Sequence, residues 1–406
     1  MKSLHRLRRR PAQAGLTLIE LMVSLVVGMI LTIAMLAVLA QSEGRKRTTN
    51  STNDASLSGL YAMSVIDRAV RSAGGGFNAI RGDAHGCSLK AARSGAQVLP
   101  ATSALPTPFG SVNPGPKGTT GQFRLAPVLI LPNQSTATIS GQTSDVLLVM
   151  TGSGVRGDAP LPTTAVATDT SLPVLNAFGV RPGDMLLVVN KKIAGQPCLV
   201  QQAAAAYTAG AVPIDLSGAT YSSANIDSVA LSSYPQSSWV VNLGTQPQFT
   251  LLGVGDNNTL FGYDLLRLSG ADPDATYEIA DGIFELKALY AIGTDTNGDG
   301  KFDKTEWASP NDKNYDLAAM NADPSLMGRI AAIRVGLILR TSLPDRPERD
   351  PGQTQTTAVT TGNLTLFSGT TDAAGNDLTY TRTLKDAEKV YRYRTVEMTI
   401  PVRNNL

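Results

Sequence analysis

The chain has 406 residues, 42% hydrophobic and 17% charged, with a formal net charge of +2. That length suits one large domain or two modest ones, and so small a net charge supplies no overall field to draw in nucleic acid. Two cysteines exclude a multi-cysteine zinc site, and two histidines, with no Gly-x-Ser-x-Gly elbow and no phosphate-cradling glycine loop, leave no catalytic constellation. The chain reads as a non-enzyme.

Charge is nonetheless unevenly placed. Lys2, Arg6, Arg8, Arg9 and Arg10 crowd the first ten residues with no acid among them. Residues 16–40 then run LTLIELMVSLVVGMILTIAMLAVLA, with Glu20 the one charge. As a helix this stretch is about 37 Å long, enough to cross a bilayer. The basic cluster stays cytoplasmic by the positive-inside rule, which puts everything after residue 41 on the outside. Ala14 and Gly15 precede the apolar run, whereas a secretory signal has its small cleavage residues after it.

Glu20 is the anomaly, because a carboxylate deep in a bilayer costs about 2.5–3.5 kcal/mol and so requires a partner. A cut between Gly15 and Leu16 would place Glu20 in the first turn of the new helix. There the positive end of the helix dipole and a fresh α-amino group can hold it.

The helical pattern continues through residues 41–73, which lack proline. Leu57, Leu60, Tyr61, Val65, Ala69 and Ala73 recur at helical spacing and define the expected apolar face. Gly74-Gly75-Gly76 is a stop. The chain therefore divides into a leader (1–15), an apolar helix (16–40), its amphipathic continuation (41–75) and a body (76–406).

In the body, segments 146–150, 185–189, 239–243, 249–252, 283–291, 330–339 and 395–402 read as strands. Stretches 94–122, 152–173 and 342–376 read as surface loops. The fold class is α+β, a long helix packed on an antiparallel, β-rich body, with two sub-sheets allowed by its size. If the body is exported, Cys87 and Cys198 are a candidate disulfide; two buried free thiols are the alternative. His85 beside Cys87 reads as a turn residue, and Arg81-Gly82-Asp83 as a chance tripeptide.

Residues 295–306 fit the twelve-position calcium-loop pattern. Asp295, Asn297 and Asp299 occupy positions 1, 3 and 5, and Gly300 allows the sharp turn. The Lys301 carbonyl, Asp303 and Glu306 complete an oxygen shell for Ca²⁺. The strand-like run before the loop argues for a lone EF-hand-like loop with a structural role.

Residues 14–23, AGLTLIELMV, resemble the type IV prepilin signature. That resemblance implies a prepilin peptidase cutting after Gly15, a methylated Leu16, and Glu20 recognising a neighbouring subunit. Leu16 stands where Phe or Met is more usual, and Ala37 where many major pilins have Pro. Asp67 to Gly74, Gly183 to Leu187, Ile333 to Arg340 and the ending from Tyr391 to Asn404 resemble the PilW family of minor pilins. The resemblance implies a low-copy, type IV pilin-like subunit at or near a filament tip. Its partners would be other minor and major pilins and the inner-membrane assembly machinery, and it would move from that membrane to the cell surface. A J-type pseudopilin of type II secretion and a calcium-dependent tip adhesin remain open.

Overall fold

The computed structural model describes residues 17–113, 122–135, 143–153, 159–190, 192, 195–226, 229–268, 272, 274–344 and 359–405. Two compact units are distinguished, Met1–Thr52 and Asn53–Leu406.

Residues Leu18–Ser72 are helical. In the first unit the segment Leu18–Leu39 has a mean hydropathy of 2.7, none of its apolar window is buried, and it is long enough to cross a membrane. In the second unit the end of the helix buries Ala62, Met63, Ile66, Val70 and Ala73 in the main core, and it meets a four-stranded sheet at Gly59, against Leu339. The apolar face expected from the sequence is corrected here. Of its six residues only Ala73 is buried, while Leu57, Leu60 and Tyr61 are 65%, 58% and 59% exposed.

The cause is steric. This part of the helix carries two apolar stripes, and the body takes the one that includes Gly59. A Cβ on Gly59 would come within 2.3 Å of Leu339 Cδ1, so the missing side chain leaves room for the Leu339 side chain to pack on the helix. Ser58 Oγ donates to Asp281 at 2.8 Å, and Arg394 donates to Ser56 Oγ at 3.2 Å, fixing the helix on both flanks.

The helix stops where the glycines fall, with Gly74 and Gly76 at φ of +80° and +86°. Its last carbonyls are capped from elsewhere in the body. Ser72 O accepts from Thr151 Oγ1 at 2.6 Å, and Ala73 O accepts from Asn404 Nδ2 at 2.8 Å.

All seven expected strands are present, and short strands without a sequence signal lie between them. A six-stranded sheet has the order Ala96–Leu99, Leu89–Arg93, Cys198–Gln202, Met185–Val189, Trp239–Gly244, Leu161–Pro162. A five-stranded sheet runs Tyr277–Ala280, Leu260–Asp264, Gln248–Val254, Val146–Thr151, Val128–Leu131. The four-stranded sheet runs Lys304–Ala308, Ile283–Thr294, Ile330–Arg340, Tyr393–Pro401. Pairing is antiparallel throughout these three sheets except that Leu89–Arg93 runs parallel to Cys198–Gln202. Three expected loops hold short strands: Ala96–Leu99, Leu161–Pro162 with Ser171–Leu172, and Leu364–Leu366. Each is too short to show a period against its Gly/Ser/Thr/Pro surroundings.

The parallel pair is where the cysteines meet. Cys198 N donates to Ser88 O at 2.8 Å, and the Cys87–Cys198 disulfide joins Cα atoms 5.7 Å apart across 111 residues of chain. Closing so long a loop removes much of the unfolded chain's freedom. Replacing both cysteines by serine should lower the unfolding free energy by about 2–5 kcal/mol, measured by urea titration of the oxidised wild type against the variant. A change below a few tenths would show that the bridge adds nothing.

Candidate functional site: the N-terminal helix and the acidic hairpin loop

Gly15 and Leu16 lie outside the described residues. Glu20 lies in the first turn of the helix and is exposed. Its N–H donates to Thr17 O at 3.0 Å and Thr17 Oγ1 at 3.3 Å, so Thr17 caps the turn beneath it. An acid here faces the positive end of the helix dipole. Chemically, the site offers one carboxylate near the head of a 22-residue apolar segment.

The acidic loop connects strands Ile283–Thr294 and Lys304–Ala308, which pair from Tyr290↔Ala308 to Thr294↔Lys304. Asp295 accepts from Gly298 N at 2.7 Å and Gly300 N at 2.9 Å, curling the chain around its carboxylate. Gly298 and Gly300 both take positive φ, which the tight curl needs. Asn297 Nδ2 lies 3.3 Å from both Asp299 Oδ2 and Asp303 Oδ1, so these three side chains converge. Asp303 accepts from the Thr296 backbone N–H and hydroxyl, which hold its carboxyl below the usual range.

Phe302 packs on Gly293, whose absent side chain leaves room for the ring. Glu306 departs from the pattern, because it lies in the strand opposite Ile292 and forms an ion pair with Lys304. Among the described residues, no group of three or more His, Cys, Asp or Glu side chains is gathered to hold a metal ion. Asp295, Asn297, Asp299 and Asp303 fit a hard cation by their oxygen chemistry, and Glu306 does not join them.

Two minor motifs find structural partners. Asp83, in the short helix Arg81–Ala84, accepts from Trp239 Nε1 at 3.1 Å. His85 is buried edge-on to Phe77, with ring centroids 6.1 Å apart.

Sequence reasoning missed a cluster of buried charges. Glu285 and Lys287 sit inside strand Ile283–Thr294, with Asp145, Arg382 and Glu388 around them, all buried. Lys287 Nζ lies 3.2 Å from Asp145 Oδ1 and 3.7 Å from Glu285 Oε1. Arg382 pairs with Glu388 at 2.9 Å and Glu285 at 3.6 Å, and Tyr380 OH donates to Glu285. Asp145 also accepts from Ala288 N at 3.1 Å, joining the five-stranded sheet to the four-stranded one. The available signal was two charges two positions apart in an otherwise apolar strand. Their partners lie more than 90 residues away.

Burial pushes the Asp145 and Glu285 carboxyls above their usual range, against the pull of Lys287 and, at Glu285, of Tyr380 and Arg382. The same burial, with Glu285 beside it, raises the Tyr380 phenol.

An exposed acid one turn into an apolar N-terminal helix, followed by a β-rich body, fits the prepilin class. The prokaryotic N-terminal methylation motif matches residues 10–36, and the type IV pilus-assembly protein W family matches residues 255–404, a little over a third of the chain. These two matches make the chain similar to a PilW-like prepilin and support a minor pilin related to type IV pili. Its apolar N-terminal helix and prepilin motif fit a membrane-anchored pilin. No curated protein and no solved structure matches it significantly.

The buried cluster has a pH signature. A carboxyl whose folded-state pKa is raised contributes stability that is present at low pH and lost as pH rises through that raised value. Glu285 should therefore cost stability as pH rises from about 4.5, its ordinary value. Glu285→Gln keeps an acceptor for Tyr380 and removes the titration. Urea titrations at pH 5 and 8 should show the variant gaining on wild type at the higher pH; an equal or larger loss in the variant refutes the assignment.

Proposed function

We propose that this chain is a minor pilin which prepilin peptidase cleaves after Gly15 and methylates at Leu16, and which helps to initiate or cap a type IV pilus at its tip. Before assembly it crosses the inner membrane once, with the basic leader in the cytoplasm and the body in the periplasm. Its role is structural rather than catalytic. The observation that carries this reading is Glu20, an exposed carboxylate in the first turn of an otherwise uncharged apolar segment.

In a bilayer that acid is a liability. Beside a trimmed amino terminus it has a counter-ion, its own or a neighbour's. The apolar segment can then leave lipid for a bundle of like helices with register set by one charge pair. Partners follow from these steps: the peptidase, other minor and major pilins, and the inner-membrane assembly machinery.

In the native host, Glu20→Ala should leave the protein in the membrane fraction and remove it, at least tenfold, from sheared filaments. Mass spectrometry of Gly15→Lys should find the leader retained. Undiminished filament incorporation of Glu20→Ala, or an intact leader in the wild type, would overturn the reading.

We also propose a structural Ca²⁺ in the acidic loop. Asp295, Asn297, Asp299 and Asp303 would hold it with the Lys301 carbonyl, and Glu306 would exchange Lys304 for the ion. The converging Asn297, Asp299 and Asp303 side chains support this. Calorimetry of the purified protein should show one Ca²⁺ with Kd of about 10⁻⁴–10⁻³ M, weakened in Asp295→Ala and in Glu306→Gln. An absence of heat up to about 10-fold above that range removes the ion from the account.

A further inference from the structure

The surroundings of Lys287 are those of a nucleophile as well as of an ion pair. Its Nζ lies 2.7 Å from Asn133 Oδ1, one bond from the carbonyl carbon of that amide. Asp145 Oδ1 touches the amine at 3.2 Å and accepts from the Asn133 backbone N–H at 3.0 Å, so one carboxylate holds both groups. Thr143 O accepts from Nζ at 3.1 Å, Glu285 Oε1 lies 3.7 Å away, and the Tyr380 ring centroid lies 5.1 Å off.

Aminolysis of an amide needs three things: a nucleophile held against the carbonyl, a proton acceptor and donor touching it, and exclusion of competing water. Lys287 and Asp145 are buried, which shields the amine and its proton carrier, whereas Asn133 is exposed and leaves a departing group a way out.

We propose that Lys287 and Asn133 form an intramolecular isopeptide bond, with Asp145 as the proton carrier. The Lys287 ammonium passes a proton to the Asp145 carboxylate, exchanging an ion pair for a neutral pair as a low-dielectric site favours. The freed Nζ lone pair attacks Asn133 Cγ, forming the new C–N bond. Asp145 delivers its proton to Nδ2, the Cγ–Nδ2 bond breaks, and the nitrogen leaves, taking the remaining Nζ proton through Asp145. The sum is ammonium plus primary amide giving secondary amide plus ammonium ion, with Asp145 restored and no oxidant or cofactor consumed.

The bond would tie residue 133, just beyond strand Val128–Leu131 of the five-stranded sheet, to strand Ile283–Thr294 of the four-stranded sheet. It spans 154 positions of sequence. The proposal does not depend on the filament reading, because the bond would form within the body of a single chain.

Intact-mass spectrometry and peptide mapping of the reduced, purified full chain test it. The expected wild-type result is a mass lower by one ammonia, once the N-terminal processing seen in the same map is allowed for. A branched tryptic peptide should contain both Asn133 and Lys287. Lys287→Arg and Asn133→Ala should each restore the full mass, and Asp145→Asn should leave the two residues unlinked. Wild-type protein at full mass, with Lys287 and Asn133 in separate linear peptides, overturns the proposal without recourse to any variant.

Discussion

Strand Ile283–Thr294 is buried along all but its last residue, and at Glu285 and Lys287 it carries charge into that interior. Few placements in a protein are less forgiving, because each charge left without a partner there costs several kcal/mol. The body answers with partners from three directions. Asp145 comes from the start of a strand in the five-stranded sheet, Tyr380 and Arg382 from a two-stranded ribbon, and Glu388 from the turn after it. Three carboxylates then face two cations, and at Glu285 the cost of desolvation outweighs the pull of Tyr380, Lys287 and Arg382. Once these groups must meet, the sheets and the ribbon have one relative placement, since apolar contacts tolerate sliding and hydrogen-bonded charges do not.

The end of the helix is set by a different economy. Gly59 and Ala62 are poor sources of buried area, yet they lie against the sheet, while Leu57, Leu60 and Tyr61 face outward. Met63, Ile66 and Val70 are buried in the main core of the body. The helix terminus is then closed by Thr151 and by Asn404, close to the end of the chain. The region matching the family at residues 255–404 thus includes a cap for the helix that opens the body.

The acidic loop shows how far spacing alone can be trusted. Positions 1, 3, 5 and 9 of the calcium pattern curl together because Asp295 and Asp303 gather backbone N–H groups of the loop itself. The twelfth position sits in a strand whose pairing with Ile292 decides where its side chain starts. In a helix–loop–helix the residue after the loop turns back toward it; in a hairpin it is carried along the sheet.

What the sequence by itself determined are the features whose cause is local or compositional. The order of basic cluster, Gly15, apolar run and Glu20 names the class, because membrane thickness and helix rise act on any such segment. The Gly74–Gly76 stop and the strand at Met185–Val189 follow from backbone freedom and from an unbroken apolar run. Only the tertiary structure decided which stripe of the helix is buried, because that turns on the shape of a sheet built from residues more than two hundred positions away. It likewise decided that Cys87 meets Cys198 across a parallel pair, and that Lys287 finds Asn133 and Asp145. Those contacts depend on how distant strands order themselves into sheets, and no periodicity within either segment encodes that.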